Sequence, residues 1–228
     1  MKNLDTIQPI TIEPILMNIP LPLEKNPLND CGVLSLQMIL LSDKHSEDFS
    51  LENLRNRVGK TFEEGTSPAN ICKVLKEEGY KVKYFSSIDI ESVAKNDPKT
   101  DFNKWDPRVI GAVNAAKGSS LVINAEKLHD SAIWLNKEEN KGMIENKNLS
   151  IKEVADLLRE GKKVIALVKD GSHYVVIVGV DNKNIYFNDP ATNETPTQKS
   201  KTHLDFLNYW AQRPDMRDAI VVSILPKD

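Results

Sequence analysis

The sequence predicts an α+β fold, a helical half packed against an antiparallel sheet half. Helix signals crowd the region that follows Cys31, strand-like runs separated by tight turns crowd residues 162–190, and a β-branched run, AIVVSIL, closes the chain. Elements segregated in this way, rather than alternating strand with helix, belong to an α+β architecture.

The elements follow in order. Residues 1–27 are punctuated by proline and rich in β-branched side chains, so TIEPIL and IPLPL read as extended segments. Residues 31–42 carry apolar side chains on nearly every face, which predicts a helix buried all round. Two amphipathic helices come next. Ser50–Val58 places Leu51, Leu54 and Val58 at helical spacing, and Ser67–Glu78 has Ser67 as N-cap, Pro68 at the first position and Gly79 as its stop. KVKYFS reads as a strand. Residues 93–149 are the least patterned: KNDPKTDFNKWDP is loop-like, VIGAVNAAK has the length of a short helix, and SSLVINAEKL fits strand or helix. At Ser150 the pattern sharpens. Ser150 and Glu153 form a capping box ahead of Ile151, Val154, Leu157 and Leu158, and Gly161 ends that helix. KKVIALVKD, HYVVIVGV and NIYFNDP are three strands joined by turns at Gly171-Ser172 and Asp181-Asn182, Thr202–Ala211 is helical, and AIVVSIL is the last strand. The chain reads as one domain, residues 1–228, with an inserted segment at about 93–149 and its two halves facing each other across a cleft.

Composition narrows the function. With 228 residues and a net charge of -3 spread over interspersed acids and bases, the chain has no surface suited to a polyanion, so nucleic acid is not an expected partner. Acids and prolines interrupt the apolar residues of MKNLDTIQPITIEPILMNIP, which leaves no signal-peptide core, and no apolar run is long enough to span a bilayer. A cytoplasmic protein is expected, or one exported without such a signal, with no membrane insertion. Cys31 and Cys72 are the two cysteines, too few for a disulfide framework, and free thiols are expected. No C-x-x-C or H-x-x-x-H pattern and no phosphate-binding loop occurs, so neither metal nor cofactor is expected.

The residues that carry chemistry begin at Cys31. Asn29 or Asp30 can cap the buried helix, which puts Cys31 in its first turn, where unpaired N–H groups and the helix dipole favour a thiolate. Gly32 allows a substrate backbone close approach. The inert alternative is a buried core thiol, since free cysteine is among the most buried residue types. His173 opens HYVVIVGV, an apolar strand in which an imidazole is out of character. If HYVVIVGV and NIYFNDP form a hairpin turning near Asp181–Lys183, residue numbers that sum to about 362–366 face one another, which brings Asp189 within a few positions of His173. A carboxylate there holds the imidazole's tautomer and leaves its other nitrogen free to face a thiol. The bland alternative is a strand-end histidine beside an Asp-Pro turn. His45, in DKHSED, reads as a solvated loop residue, His129 and His203 have no thiol or acid at ligand spacing, and Cys72 lies on the apolar side of its helix.

Taken together, NDCGVLSLQMIL, SLENLRNRVGKTFEEGTSPANICKVLKEEGYKVKYF and SHYVVIVGVDNKNIYFNDPATNE resemble the bacterial papain-like cysteine peptidases related to the bacteriocin-processing, double-glycine-leader peptidase domains. The resemblance covers roughly residues 20–92 and 150–225. It implies a papain-like fold with Cys31 as nucleophile, His173 as general base and acid, and Asp189 as its orienter. Two departures stand out. The family usually supplies an oxyanion-hole glutamine six residues before the nucleophile, where this chain has Lys25 with Asn26 beside it, the two candidates to replace it. Residues 93–149 fall between the two family blocks, and no transporter segment is fused to the chain. The expected function is therefore a thiol peptidase that cleaves a peptide bond in a peptide or protein substrate. The alternatives are a deamidase or transglutaminase with the same triad, and a non-catalytic peptide-binding module.

Overall fold

The structure is a computed structural model, and it describes residues 12–22, 29–43, 49–59, 65–110, 125–169, 171–190, 195–211 and 217–224. Helix α1 (Cys31–Asp43) is buried from Cys31 through Leu40, as its lack of a polar face demands. Gln37, within that buried stretch, donates its Nε2 hydrogen to the Phe49 carbonyl at 2.9 Å. Helix α2 (Leu51–Arg57) starts at Ser50, whose hydroxyl accepts from the Asn53 N–H. Helix α3 (Pro68–Glu77) starts at Ser67 in the same way, with proline at its first position.

The strands are β1 (Ile15–Leu16), β2 (Tyr80–Phe85), β3 (Ile144–Glu145), β4 (Lys163–Val168), β5 (His173–Val180), β6 (Asn184–Asp189), β7 (Thr197–Thr202) and β8 (Asp218–Ile224). They form one sheet in the order β3-β2-β8-β4-β5-β6-β7, with β1 pairing β5. Every pairing is antiparallel except β2 with β3. The sheet is therefore not confined to the second half of the chain, because β2, predicted from KVKYFS, pairs antiparallel with β8, one strand in from the β3 edge. Strand β7 escaped the sequence reading. TQKSKT has no apolar face to announce it, and it is the sheet's edge, where lysines discourage further pairing.

Strand β5 explains the layers. All eight of its residues are buried, so it needs cover on both faces. On one face Tyr174, Val176 and Val178 pack with Val33, Leu34 and Leu36 of α1. On the other, Val175 and Ile177 pack with Val154 and Leu158 of α6 (Ile151–Arg159) and with Phe206 and Trp210 of α7 (His203–Trp210). The capping box read from Ser150 and Glu153 is formed at the start of α6. Helices thus cover both faces of the sheet within the α+β fold that the sequence predicts, α1 on one face and α6 and α7 on the other. Near the end of β5 the pairing with β6 slips by one residue at a bulge, and β1 lies close alongside. A Cβ on Gly179 would come within 2.6 Å of the Ile15 carbonyl oxygen, so only glycine admits that approach.

Residues 93–149 hold more helix than their pattern showed. Helix α4 (Ile90–Lys95), capped by Asp89, and α5 (Ala125–Leu135) gather a small core of Val93, Trp105, Val109 and Ala132. Its link to the main core runs through Trp134 and Leu135. The AEKL of SSLVINAEKL is helical. Most of VIGAVNAAK, and the residues of SSLVINAEKL before Ala125, lie outside the described residues.

Candidate active site

The turn into α1 sets the position of Cys31. Asn29 adopts φ 54°, the left-handed conformation that asparagine tolerates better than most residues. The Asp30 carbonyl then accepts the Leu34 N–H at 2.8 Å, which makes Cys31 the first residue of the helix. The Asp30 carboxylate, 1 % exposed, takes Nε and Nη2 of Arg55 at 3.1 and 2.5 Å and so ties α2 to the start of α1. Both contacts were absent from the sequence reading, because nothing in the spacing of Asp30 and Arg55 shows that α2 folds back.

Beside Cys31, the chain at Gly65–Ser67 crosses close to the helix. A Cβ on Gly32 would lie 2.8 Å from the Thr66 Cβ and 3.2 Å from Tyr174 Cδ2. Tyr174 in turn donates its hydroxyl to the Thr66 carbonyl at 2.9 Å, which fixes this segment over the sheet. Helix propensity alone favours Gly32→Ala by about 1 kcal/mol. Overpacking against a side-chain root that cannot swing away costs about 1–3 kcal/mol. Net destabilisation is expected in urea titration, and an unchanged or raised midpoint would contradict the packing.

His173 is the first residue of β5 and Asp189 the last of β6. In the hairpin Val176 faces Asn188 and Val180 faces Ile185, a register within the window derived from the turn position. His173 shares the parity of Val175 and Ile177, and Asp189 that of Ile185 and Phe187, so both lie on one face. Nε2 of His173 and Oδ1 of Asp189 are 2.6 Å apart, with the residues 5 % and 4 % exposed. The Cys31 side chain lies close enough to the imidazole to act on its pKa. With Nε2 held by Asp189, Nδ1 is the ring nitrogen left to face a thiol. The structure therefore brings Cys31, His173 and Asp189 together in one buried cluster.

Electrostatics follow from this geometry. Burial alone depresses the His173 pKa, but the hydrogen bonds to Asp189 and Cys31 outweigh it and raise it to about 9. Burial works to raise the Asp189 carboxyl, and hydrogen bonds from His173 and Lys199 leave it below the ordinary carboxylate range. Lys199 reaches in from β7, its Nζ 2.9 Å from Asp189 Oδ2. It was not among the residues singled out from the sequence, since the strand that carries it was not seen.

The remaining candidates separate from the cluster. Cys72 is fully buried on α3, and burial pushes its thiol far above the usual range, which leaves it inert. His129 stacks on Trp105, and His203 Nε2 lies 2.8 Å from the Asp181 carbonyl oxygen. Lys25, Asn26 and His45 lie outside the described residues. Among the described residues no group of three or more His, Cys, Asp and Glu side chains could hold a metal, and no helix is long and apolar enough to cross a membrane.

A cysteine on a helix start, set against a histidine and an acid on a sheet, is the side-chain arrangement of the cysteine peptidases as a class. The chain belongs to the Peptidase_C39 like family, whose model matches residues 17–215. This is the kinship that the NDCG, EGTS and HYVV...NDP segments suggested. No curated protein matches the chain significantly. Among solved structures, it is similar to a double glycine motif protease from an AMS/PCAT transporter in complex with its leader peptide, at 16% identity and a TM-score of 0.47, covering 94% of this chain and 99% of that one. It is also similar to the peptidase domain of Streptococcus ComA, a bi-functional ABC transporter involved in quorum sensing, at 13% identity and a TM-score of 0.44, covering 90% of this chain and all of the other.

Proposed function

We propose that the protein is a thiol peptidase that cleaves a peptide bond in a peptide or protein substrate through Cys31, His173 and Asp189. One observation carries the reading: Nε2 of the buried His173 imidazole lies 2.6 Å from Asp189 Oδ1, and the Cys31 side chain is close enough to the same ring to raise its pKa. In this mechanism the thiolate of Cys31, paired with the imidazolium, attacks the scissile carbonyl and forms a tetrahedral intermediate. The Cys31 backbone N–H, free of an intrahelical acceptor in the first turn, faces the developing oxyanion. His173 gives its Nδ1 proton to the leaving amine as the C–N bond breaks. It then takes a proton from water, which attacks the thioester and releases the acid and Cys31. Asp189 keeps Nε2 protonated, which fixes the tautomer and the ring's orientation throughout.

The test is incubation of the protein with a peptide library, read by mass spectrometry. New amino termini are expected with the wild type and none with His173→Ala. A deamidation mass gain without new termini would replace the peptidase reading with glutamine chemistry. Retention of every peptide unaltered, with a thiol that alkylates only above about pH 8, would leave a binding module.

A further inference from the structure

A triad carboxylate has two oxygens, and here the second is not left to solvent. Asp189 Oδ1 faces His173, while Oδ2 faces Lys199 Nζ at 2.9 Å. The strand register makes this contact possible. Phe187 faces Lys199 and Asp189 faces Thr197, so Lys199 is the diagonal cross-strand neighbour of Asp189, within reach of a long side chain. The two ends of the contact differ in exposure: the Asp189 side chain is 5 % exposed and that of Lys199 is 43 %. A buried carboxylate with a single partner could rotate about its last torsion and present either oxygen, or the gap between them, to the imidazole. With both oxygens engaged from different strands, it cannot rotate without breaking a charged contact.

We propose that Lys199 is a positioning residue of the active site, holding Asp189 Oδ2 from the edge strand so that Oδ1 stays on His173 Nε2. This inference rests on the peptidase reading of the site and adds a fourth side chain to it. Lys199 reaches the site through Asp189. Its cation also helps keep that carboxylate ionised against the effect of burial. Losing it moves Asp189 protonation to higher pH.

The test compares wild type with Lys199→Met and Lys199→Arg. Because Lys199 is on an exposed edge strand, both variants are expected to fold, and thermal melts check this. Lys199→Met is expected to lower kcat by up to about tenfold with KM little changed, as a loosened orienting group does. The acidic limb of its kcat profile should move to higher pH, because the carboxylate loses the cation that favours its ionised form. Lys199→Arg should restore both. In parallel, the His173 ring nitrogens are followed by 15N NMR through the acid range, which needs no substrate. Their acid-side inflection, which reports Asp189, should move up in Lys199→Met. If it coincides with wild type while wild type cleaves peptides, the positioning role fails and the peptidase reading stands. If wild type cleaves nothing, the peptidase reading fails and takes this role with it.

Discussion

Cys31→Ala is expected to abolish peptide cleavage and to leave the fold in place. The substitution removes one sulfur atom from a residue already 8 % exposed, and it breaks none of the backbone contacts that start α1. Hydrolysis should drop by at least about 10⁴-fold, because without the thiolate no acyl-enzyme forms and the remaining groups cannot replace that step. The far-UV circular dichroism should match wild type, and the melting temperature should shift by no more than a few degrees. Cleavage at the wild-type rate by this variant would end the proposal that Cys31 is the nucleophile. Equal loss of activity and of folded structure would show instead that the residue serves the core.

The second large effect is on pH dependence. His173 is raised from its ordinary value of 6.5 to about 9, against the burial that would lower it. The thiolate–imidazolium pair shares that proton, so the limb belongs to the pair rather than to one residue. Cleavage is expected to decline as pH rises through about 9, where the imidazolium that protonates the leaving amine is lost. The sign for stability is the same. A group raised on folding stabilises the folded chain fully below its unfolded pKa and loses that contribution as pH rises through the folded value. Stability from His173 is therefore present below 6.5 and fades toward about 9. Asp189→Asn removes the charge that holds the proton. It should move the alkaline limb down toward the ordinary histidine range and cut kcat by about 10⁴-fold. A limb that stays in place in this variant would show that Asp189 does not support the imidazolium.

Much of the fold could be read from local signals. Ser50, Ser67, Ser150 and Thr202 each cap the helix expected after it, since capping depends on residues within one turn of each other. The register that joins His173 to Asp189 was also legible, because a short turn sets the pairing of a hairpin. What stayed hidden was long-range or lacked contrast. The place of β2 in the sheet depends on β8, far along the chain. Strand β7 has no apolar alternation, and with it went Lys199. The Asp30–Arg55 tie needs the relative placement of two helices, which no periodicity encodes.

The separation of the three site residues along the chain has a consequence for how activity arises during folding. His173 and Asp189 are 16 residues apart and meet by closing one hairpin, a local event with a small entropic cost. Cys31 reaches them only when α1 docks on β5, which joins the N-terminal region to the centre of the sheet. Contact between Cys31 and that pair therefore closes a far longer stretch of chain than contact within the pair does. Loosening α1 from β5 is therefore expected to part Cys31 from His173 while the β5–β6 hairpin, which holds His173 near Asp189, stays closed.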